Sequence, residues 1–446
     1  MHRQALWTLP ALQRRRLLAN NINKDRNVRS QSSAVAPSLR MIVDKALNGQ
    51  DLNVEETTQL LRTEGVGAEL VRTAANDLRR SQTGDSVSYV VNRNINFTNV
   101  CVKRCGFCAF SRDARKTQEG YYLPPEEVVR RVKEARSYGA TEVCIQAGLP
   151  PHMDGDNYVK LCAQVKEAVP EIHVHGFSPE EIWYGSMRRR STIKEHLQAL
   201  LAVGLGSLPG TSAEILDQEL RNRISPGRIP VKKWLEVVRT AHNLGLRSSS
   251  TVMYGHAESS EQLAAHLLLL RDVQKETGGF TEFVPLSFVH EQAPMFRLNF
   301  SNLSPGPTWE QRVLVHSVAR LAMGRYIPNV QASWVKEGFE NATQLLNAGA
   351  NDLGGTLINE SISTSAGAQH GQLARPSRLR ALARSQNRTP QERTTLYKVI
   401  RRFQDPADDP LDEPLDHISD ENAFKQFGSY GELTASKKFR YEYESS

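Results

Sequence analysis

Apolar positions recur at helical spacing from Ser38 to about Arg80. Leu39, Ile42, Val43 and Leu47, then Leu60 and Leu61, then Leu70, Val71 and Leu78, predict three short helices. After them the pattern becomes an alternation of short apolar runs and amphipathic stretches. Strands are predicted over 92–97, 141–147, 172–177, 205–208, 248–254, 282–288 and 329–334, with a short one near 352–354. Helices are predicted over 125–138, 157–168, 193–202, 231–244, 258–276, 309–323 and 338–347. Such alternation implies an α/β fold with a parallel sheet, and the strand count favours a (β/α)8 TIM-type barrel over a doubly wound sheet. No Gly-x-Gly-x-x-Gly follows the first strand, as a dinucleotide fold would require. The expected organisation is a basic leader over 1–37, a helical preamble over 38–84, the barrel over 85–365 and a helical extension over 366–446.

Composition changes this picture little. The formal charge of +7 gathers at one end: Arg3, Arg14, Arg15, Arg16, Lys24, Arg26, Arg29 and Arg40 face only Asp25. The remainder is close to balanced, so a basic nucleic-acid groove is not required. The arginines of 188–190 and 378–384 lack interleaved aromatics and read as solvated helix faces, so no nucleic-acid partner is expected. No apolar run approaches the length of a bilayer span, and no membrane partner is expected either. The acid-poor leader reads either as a transit peptide for a chloroplast or mitochondrion or as a basic leader without an address, which would leave the protein cytoplasmic.

Of five cysteines, Cys101, Cys105 and Cys108 crowd into eight positions just after the first barrel strand, a spacing suited to a cluster rather than to disulfides. Cys144 and Cys162 read as small buried hydrophobes. A cubane normally takes four thiolates, so a Cys-x3-Cys-x2-Cys run with no fourth partner leaves one iron open. An open iron can chelate the amino and carboxylate groups of S-adenosylmethionine (SAM). An electron from the cluster then breaks the sulfonium bond to give methionine and a 5′-deoxyadenosyl radical. The competing reading is zinc held by three cysteines and His152 or His173. Polar residues end several other strands: His173, His175 and Ser178, then Tyr254 and His256, then Ser287 and His290. Barrel enzymes gather their functional groups at such positions, so His175, Tyr254, His256 and His290 are candidate substrate contacts. Gly148, in Gln146-Ala147-Gly148-Leu149, permits close approach of a ligand to the backbone. Glu214 is either a ribose-binding carboxylate or a first-turn helix residue.

The run from Asn92 through Cys101-Val-Lys-Arg-Cys105-Gly-Phe-Cys108 resembles the second radical SAM subunit of FO synthase, the CofH family. The resemblance continues through 175–182, 208–216, 251–256, 283–288, 329–336 and 349–356, and covers roughly 39–403. It implies a 4Fe-4S cluster on Cys101, Cys105 and Cys108, with Phe107 beside the adenine of SAM and Gln146 and Gly148 beside its methionine amino group. Ser178 and Glu214 complete the SAM contacts on this reading. The implied reaction joins L-tyrosine to 5-amino-6-(D-ribitylamino)uracil: a hydrogen is taken from tyrosine, its Cα–Cβ bond breaks, and the 4-hydroxybenzyl fragment adds to carbon 5 of the uracil. A low-potential electron donor is implied, as is a second radical SAM half that closes the deazaflavin ring. The related menaquinone-pathway enzymes acting on futalosine-type compounds share several runs in looser form and are the alternative. A non-catalytic cluster-bearing scaffold and a radical SAM RNA-modifying enzyme also remain open.

Overall fold

The computed structural model describes residues 35–443 apart from 116 and 411, so the expected leader lies outside the described residues as far as 34. Helices Pro37–Leu47, Val54–Leu61 and Gly65–Thr83 form the preamble at the predicted spacing. Leu39, Ile42, Val43, Leu60, Leu61, Val71 and Leu78 are all buried. Asn53 and Glu56 close a reciprocal cap on the second helix. These helices pack on Ser260–Thr277 and Trp309–Met323, so the preamble is fastened to the outside of the barrel.

The barrel begins with β1 (Ser86–Val90) and β2 (Asn92–Ile95), two halves of one run separated at Val91. Next come β3 (Glu142–Ile145), β4 (His173–Gly176), β5 (Ser207–Leu208), β6 (Arg247–Tyr254) and β7 (Phe280–Ser287), all parallel in the order β2 to β7. β8 (Asp352–Gly355) returns to pair in parallel with β1, and a bridge between Arg93 and Ile358 joins its sequel to β2. The strand predicted over 329–334 is reduced to single bridges from Val330 to Phe283 and from Gln331 to Asp352. Side chains take over part of its ladder. Val330 N donates to Asn351 Oδ1 at 2.9 Å, and Asn329 Nδ2 donates to the Thr281 carbonyl at 2.9 Å. The fold is an α/β barrel of parallel strands, with helices between successive strands. Among the described residues no helix is long and apolar enough to cross a membrane.

The extension contributes strands as well as helices. β9 (Thr389–Arg393) pairs in parallel with β1, and β10 (Val399–Arg402) folds back antiparallel on β9. Their charged sequence lacks the apolar alternation that announces a strand. What buries this hairpin is ionic: Arg393 Nε lies 2.6 Å from Asp352 Oδ2, and Tyr397 Oη donates to Glu282 Oε2 at 2.6 Å. Arg393 thereby closes the barrel from below, at the end where β7 and β8 begin.

Candidate active site

At the opposite end, residues 96–99 lead from β2 into the cysteine loop and anchor its return. Thr98 Oγ1 donates to the Tyr121 carbonyl at 2.6 Å, Tyr121 N donates to Asn99 Oδ1 at 2.9 Å, and Arg112 N donates to the Asn99 carbonyl at 2.8 Å. Within the loop, Gly106 N donates to the Ile224 carbonyl at 2.8 Å while the Gly106 carbonyl accepts from Met295 N at 2.7 Å. A Cβ on Gly106 would lie 2.9 Å from the Met295 Cβ and 3.0 Å from the Ile224 oxygen, so only glycine fits between Cys105 and Phe107. Gly148 is needed for a similar reason. A Cβ there would stand 2.2 Å from the Val100 carbonyl oxygen. Its small size serves the contact between this segment and the cysteine loop, and Gly148 also lines the cavity described next.

Cys101, Cys105 and Cys108 are free thiols on one cavity of about 390 Å3, together with Phe107, Gln146, Gly148, His175, Ser178 and Glu214. That volume lies within the roughly 300–1,000 Å3 of small-molecule sites. Burial pushes the Cys105 thiol up to about 12 and raises Cys101 as well. Without a metal Cys101 and Cys105 stay protonated, and ligation would displace their protons. Among the described residues no trio of His, Cys, Asp or Glu side chains converges on a single ion. The zinc alternative therefore lacks its site, since His152 packs against Tyr443 and His173 is taken up by Ser207. Three soft thiols around a cavity fit a multi-iron cluster, in which each ligand meets a different iron.

The SAM candidates meet in this cavity with some of their polar atoms already engaged. Gln146 Oε1 accepts from Thr211 Oγ1 at 2.6 Å. Ser178 caps helix Pro179–Arg188: its Oγ donates to Glu181 Oε2 at 2.6 Å, and Ala147 N donates to Glu181 Oε1 at 3.0 Å. Glu181, which sequence reasoning passed over, thus ties the end of β3 to the end of β4, and burial pushes its carboxyl up to about 7. Glu214 is not in the first turn of a helix, for the next helix begins at Gln218. Its backbone is left-handed, φ 40°, and its carboxylate meets Arg228 Nη2 at 2.9 Å and Arg221 Nη1 at 3.2 Å. Arg228 also reaches Cys105 Sγ at 3.3 Å and lies over the Phe107 ring, 5.5 Å from its centroid. Sequence reasoning missed it, and its position two residues after Pro226 carries no local signal.

The expected substrate contacts divide. His175 points into the cavity and shares Ser207 Oγ with His173, each ring nitrogen 2.7 Å from that oxygen. Burial holds His175 down to about 4, so the ring is neutral near pH 7. Tyr254, His256 and His290 lie outside this cavity, contrary to the expectation from their strand-end positions. On β6 the inward positions are Ser249, Thr251 and Met253, and Tyr254 falls on the opposite parity. Tyr254 and His256 border a separate, smaller cavity with Leu61, Leu263 and Pro307. His256 Nε2 lies 3.0 Å from the Met253 carbonyl, and His290 packs its ring on Phe296 at 4.5 Å. Asn94 and Asn96, which lie in the run leading to the cysteines but were given no role, line the main cavity with buried side-chain oxygens that have no partner among the described residues. Buried acceptors of this kind call for a donor from a ligand or water.

Residues 95–270 match the radical SAM superfamily, and residues 277–405 match the CofH/MqnC C-terminal region. The 5-amino-6-(D-ribitylamino)uracil–L-tyrosine 4-hydroxyphenyl transferase of Methanopyrus kandleri is 45% identical over 82% of this chain and 97% of its own length. The protein of the same name from Methanothermobacter thermautotrophicus is 42% identical over 81% and 97%. The FO synthase of Mycobacterium leprae is 47% identical over 77% of this chain, which spans only 39% of that longer protein. Among solved structures, methylornithine synthase superposes with a TM-score of 0.60 at 21% identity, covering 77% of this chain and 96% of its own. The hydrogenase maturase HydG gives 0.62 at 17% identity over 83% and 79%; both show the fold alone. With the full barrel, the cysteine cavity and nearly the whole length of two such transferases matched, the chain belongs to the radical SAM family of 5-amino-6-(D-ribitylamino)uracil–L-tyrosine 4-hydroxyphenyl transferases, enzymes that work with a 4Fe-4S cluster and SAM.

Proposed function

We propose that this chain transfers the 4-hydroxybenzyl group of L-tyrosine to 5-amino-6-(D-ribitylamino)uracil in the making of the deazaflavin FO. The observation that carries the reading is a cavity that brings three free thiols together with the buried polar side chains of Asn94, Asn96 and His175. When bound, the cluster supplies the electron that cleaves SAM. Cys101, Cys105 and Cys108 would hold it. Phe107 and Gln146 face the same space and would contact SAM directly, whereas Ser178 and Glu214 act by positioning Glu181 and Arg228. His175, Asn94 and Asn96 offer hydrogen-bonding atoms deeper in the cavity, suited to the carbonyls and hydroxyls of the uracil. The enclosing barrel excludes water, which protects a reactive radical from quenching.

Ring closure is assigned to a second radical SAM half outside the residues seen here, and reduction to a low-potential donor. The basic leader is assigned the role of an organelle address. Anaerobic incubation of the cluster-loaded protein with SAM, ring-labelled tyrosine and the ribitylaminouracil tests the central claim by mass analysis. Label should appear in a uracil adduct alongside 5′-deoxyadenosine. Label remaining in tyrosine, with efficient conversion of a futalosine-type substrate, would replace this reading by the menaquinone-pathway one.

A further inference from the structure

The basic side chains around the cavity are matched by carboxylates, with one exception. Lys103 lies 3.2 Å from Glu180, Arg228 2.9 Å from Glu214 and Arg393 2.6 Å from Asp352. Lys336 also lines the cavity, yet among the described residues no carboxylate comes within 4.0 Å of its ammonium and no hydrogen bond reaches it. Its aim is set by a rigid stretch of backbone. Trp334 Nε1 donates to the Gly355 carbonyl at 2.9 Å just before it. Just after it, Glu337 is held by Ser287 Oγ at 2.7 Å and Arg312 Nη1 at 2.7 Å. Gly338 then breaks the helix with φ 77°.

Glu360 lines the same cavity, with no ion pair to Lys336. Its oxygens accept from the backbone N–H groups of Ser363 at 2.8 Å and Thr364 at 3.4 Å, which orients the carboxylate. Burial lowers the Lys336 ammonium from its ordinary value, as happens to a cation short of its counter-charge. Two fixed opposite charges that share a cavity without touching suit a ligand that carries both signs a short distance apart. An amino acid's α-carboxylate and α-ammonium are such a pair.

We propose that Lys336 receives the α-carboxylate and Glu360 the α-ammonium of the amino-acid substrate, so that together they select a zwitterion. The assignment deepens the function proposed above and rests on it. It places the amino-acid end of tyrosine in the cavity that Cys101, Cys105 and Cys108 also line.

Equilibrium binding separates the possibilities. Cluster-loaded, SAM-bound protein is titrated anaerobically with L-tyrosine, with tyramine, which lacks the carboxylate, and with 3-(4-hydroxyphenyl)propionate, which lacks the amine. The wild type should prefer tyrosine to either analogue by about 10- to 100-fold, the range of one hydrogen bond to a charged group. Lys336→Met should lose the preference over tyramine while still discriminating against the propionate. Glu360→Gln should do the reverse, and Lys336→Arg should restore part of the carboxylate preference. Retained SAM binding and an unchanged thermal midpoint in each variant show that the fold is intact. If the wild type prefers tyrosine and Lys336→Met keeps the full preference over tyramine, the lysine assignment is wrong and the transferase reading stands. If the wild type binds no tyrosine, both fall.

Discussion

Arg228 stands between the Cys105 thiol, 3.3 Å from its Nη1, and the Glu214 carboxylate, 2.9 Å from its Nη2. One guanidinium therefore links the cysteine loop to the segment after β5. Removing it leaves Glu214 buried with only Arg221 at 3.2 Å. Arg228→Met should lower the stability of the metal-free protein by about 3–5 kcal/mol in urea unfolding, the scale of breaking a buried ion pair. The double variant with Glu214→Gln should recover part of that loss. Strict additivity of the two single effects would show that the pair is not coupled.

Cys101→Ala, Cys105→Ala and Cys108→Ala should each abolish the 4Fe-4S cluster and SAM cleavage, because three thiolates holding a cubane leave none to spare. Cys162→Ala and Cys144→Ala should keep both. Cys162 is fully buried in helix Asp156–Ala168, and Cys144 lies on β3 with its sulfur 3.3 Å from Gln146 Nε2. Iron content and 5′-deoxyadenosine formation read the outcome. Full iron and turnover in Cys105→Ala would remove the proposed ligand set.

Gly148→Ala should damage the site although it removes no functional group. The added methyl would lie 2.2 Å from the Val100 carbonyl, a fixed backbone atom, so the cysteine loop must move. A loss of about 1–3 kcal/mol in stability is expected. Cluster occupancy after reconstitution should fall as well, and wild-type occupancy would show that the loop yields without consequence.

His175 should make stability depend on pH in one window. Burial holds its folded-state value down to about 4, below the ordinary 6.5. Between those values the unfolded chain binds more protons than the folded one, so stability falls as pH drops from 6.5 towards 4. Above 6.5 the ring is neutral in both states and contributes no slope. Relative to His175→Asn, the wild type should lose about 3 kcal/mol across this window, measured by unfolding at several pH values. An unchanged difference between the two proteins would mean that the ring is solvated when folded.

Two kinds of information separate in this molecule. The cysteine run, the preamble helices and the strand-helix alternation were readable in sequence because each depends on neighbours a few residues apart: ligand spacing, the period of a helix, the alternation of a strand. The barrel followed from their repetition. Parity at the rim was not readable. Tyr254 and Met253 are adjacent, yet only Met253 faces the cavity, since a strand turns successive residues to opposite sides and only closure of the barrel says which side is inner. Nor were the charged residues placed. Arg228 meets Cys105 across 123 positions, Arg393 meets Asp352 across 41, and Arg393 sits in a strand with no apolar pattern to announce it. A charge far from its partner in sequence looks like one bound for solvent. Only the folded chain, by withdrawing water from both groups, decides that they must meet.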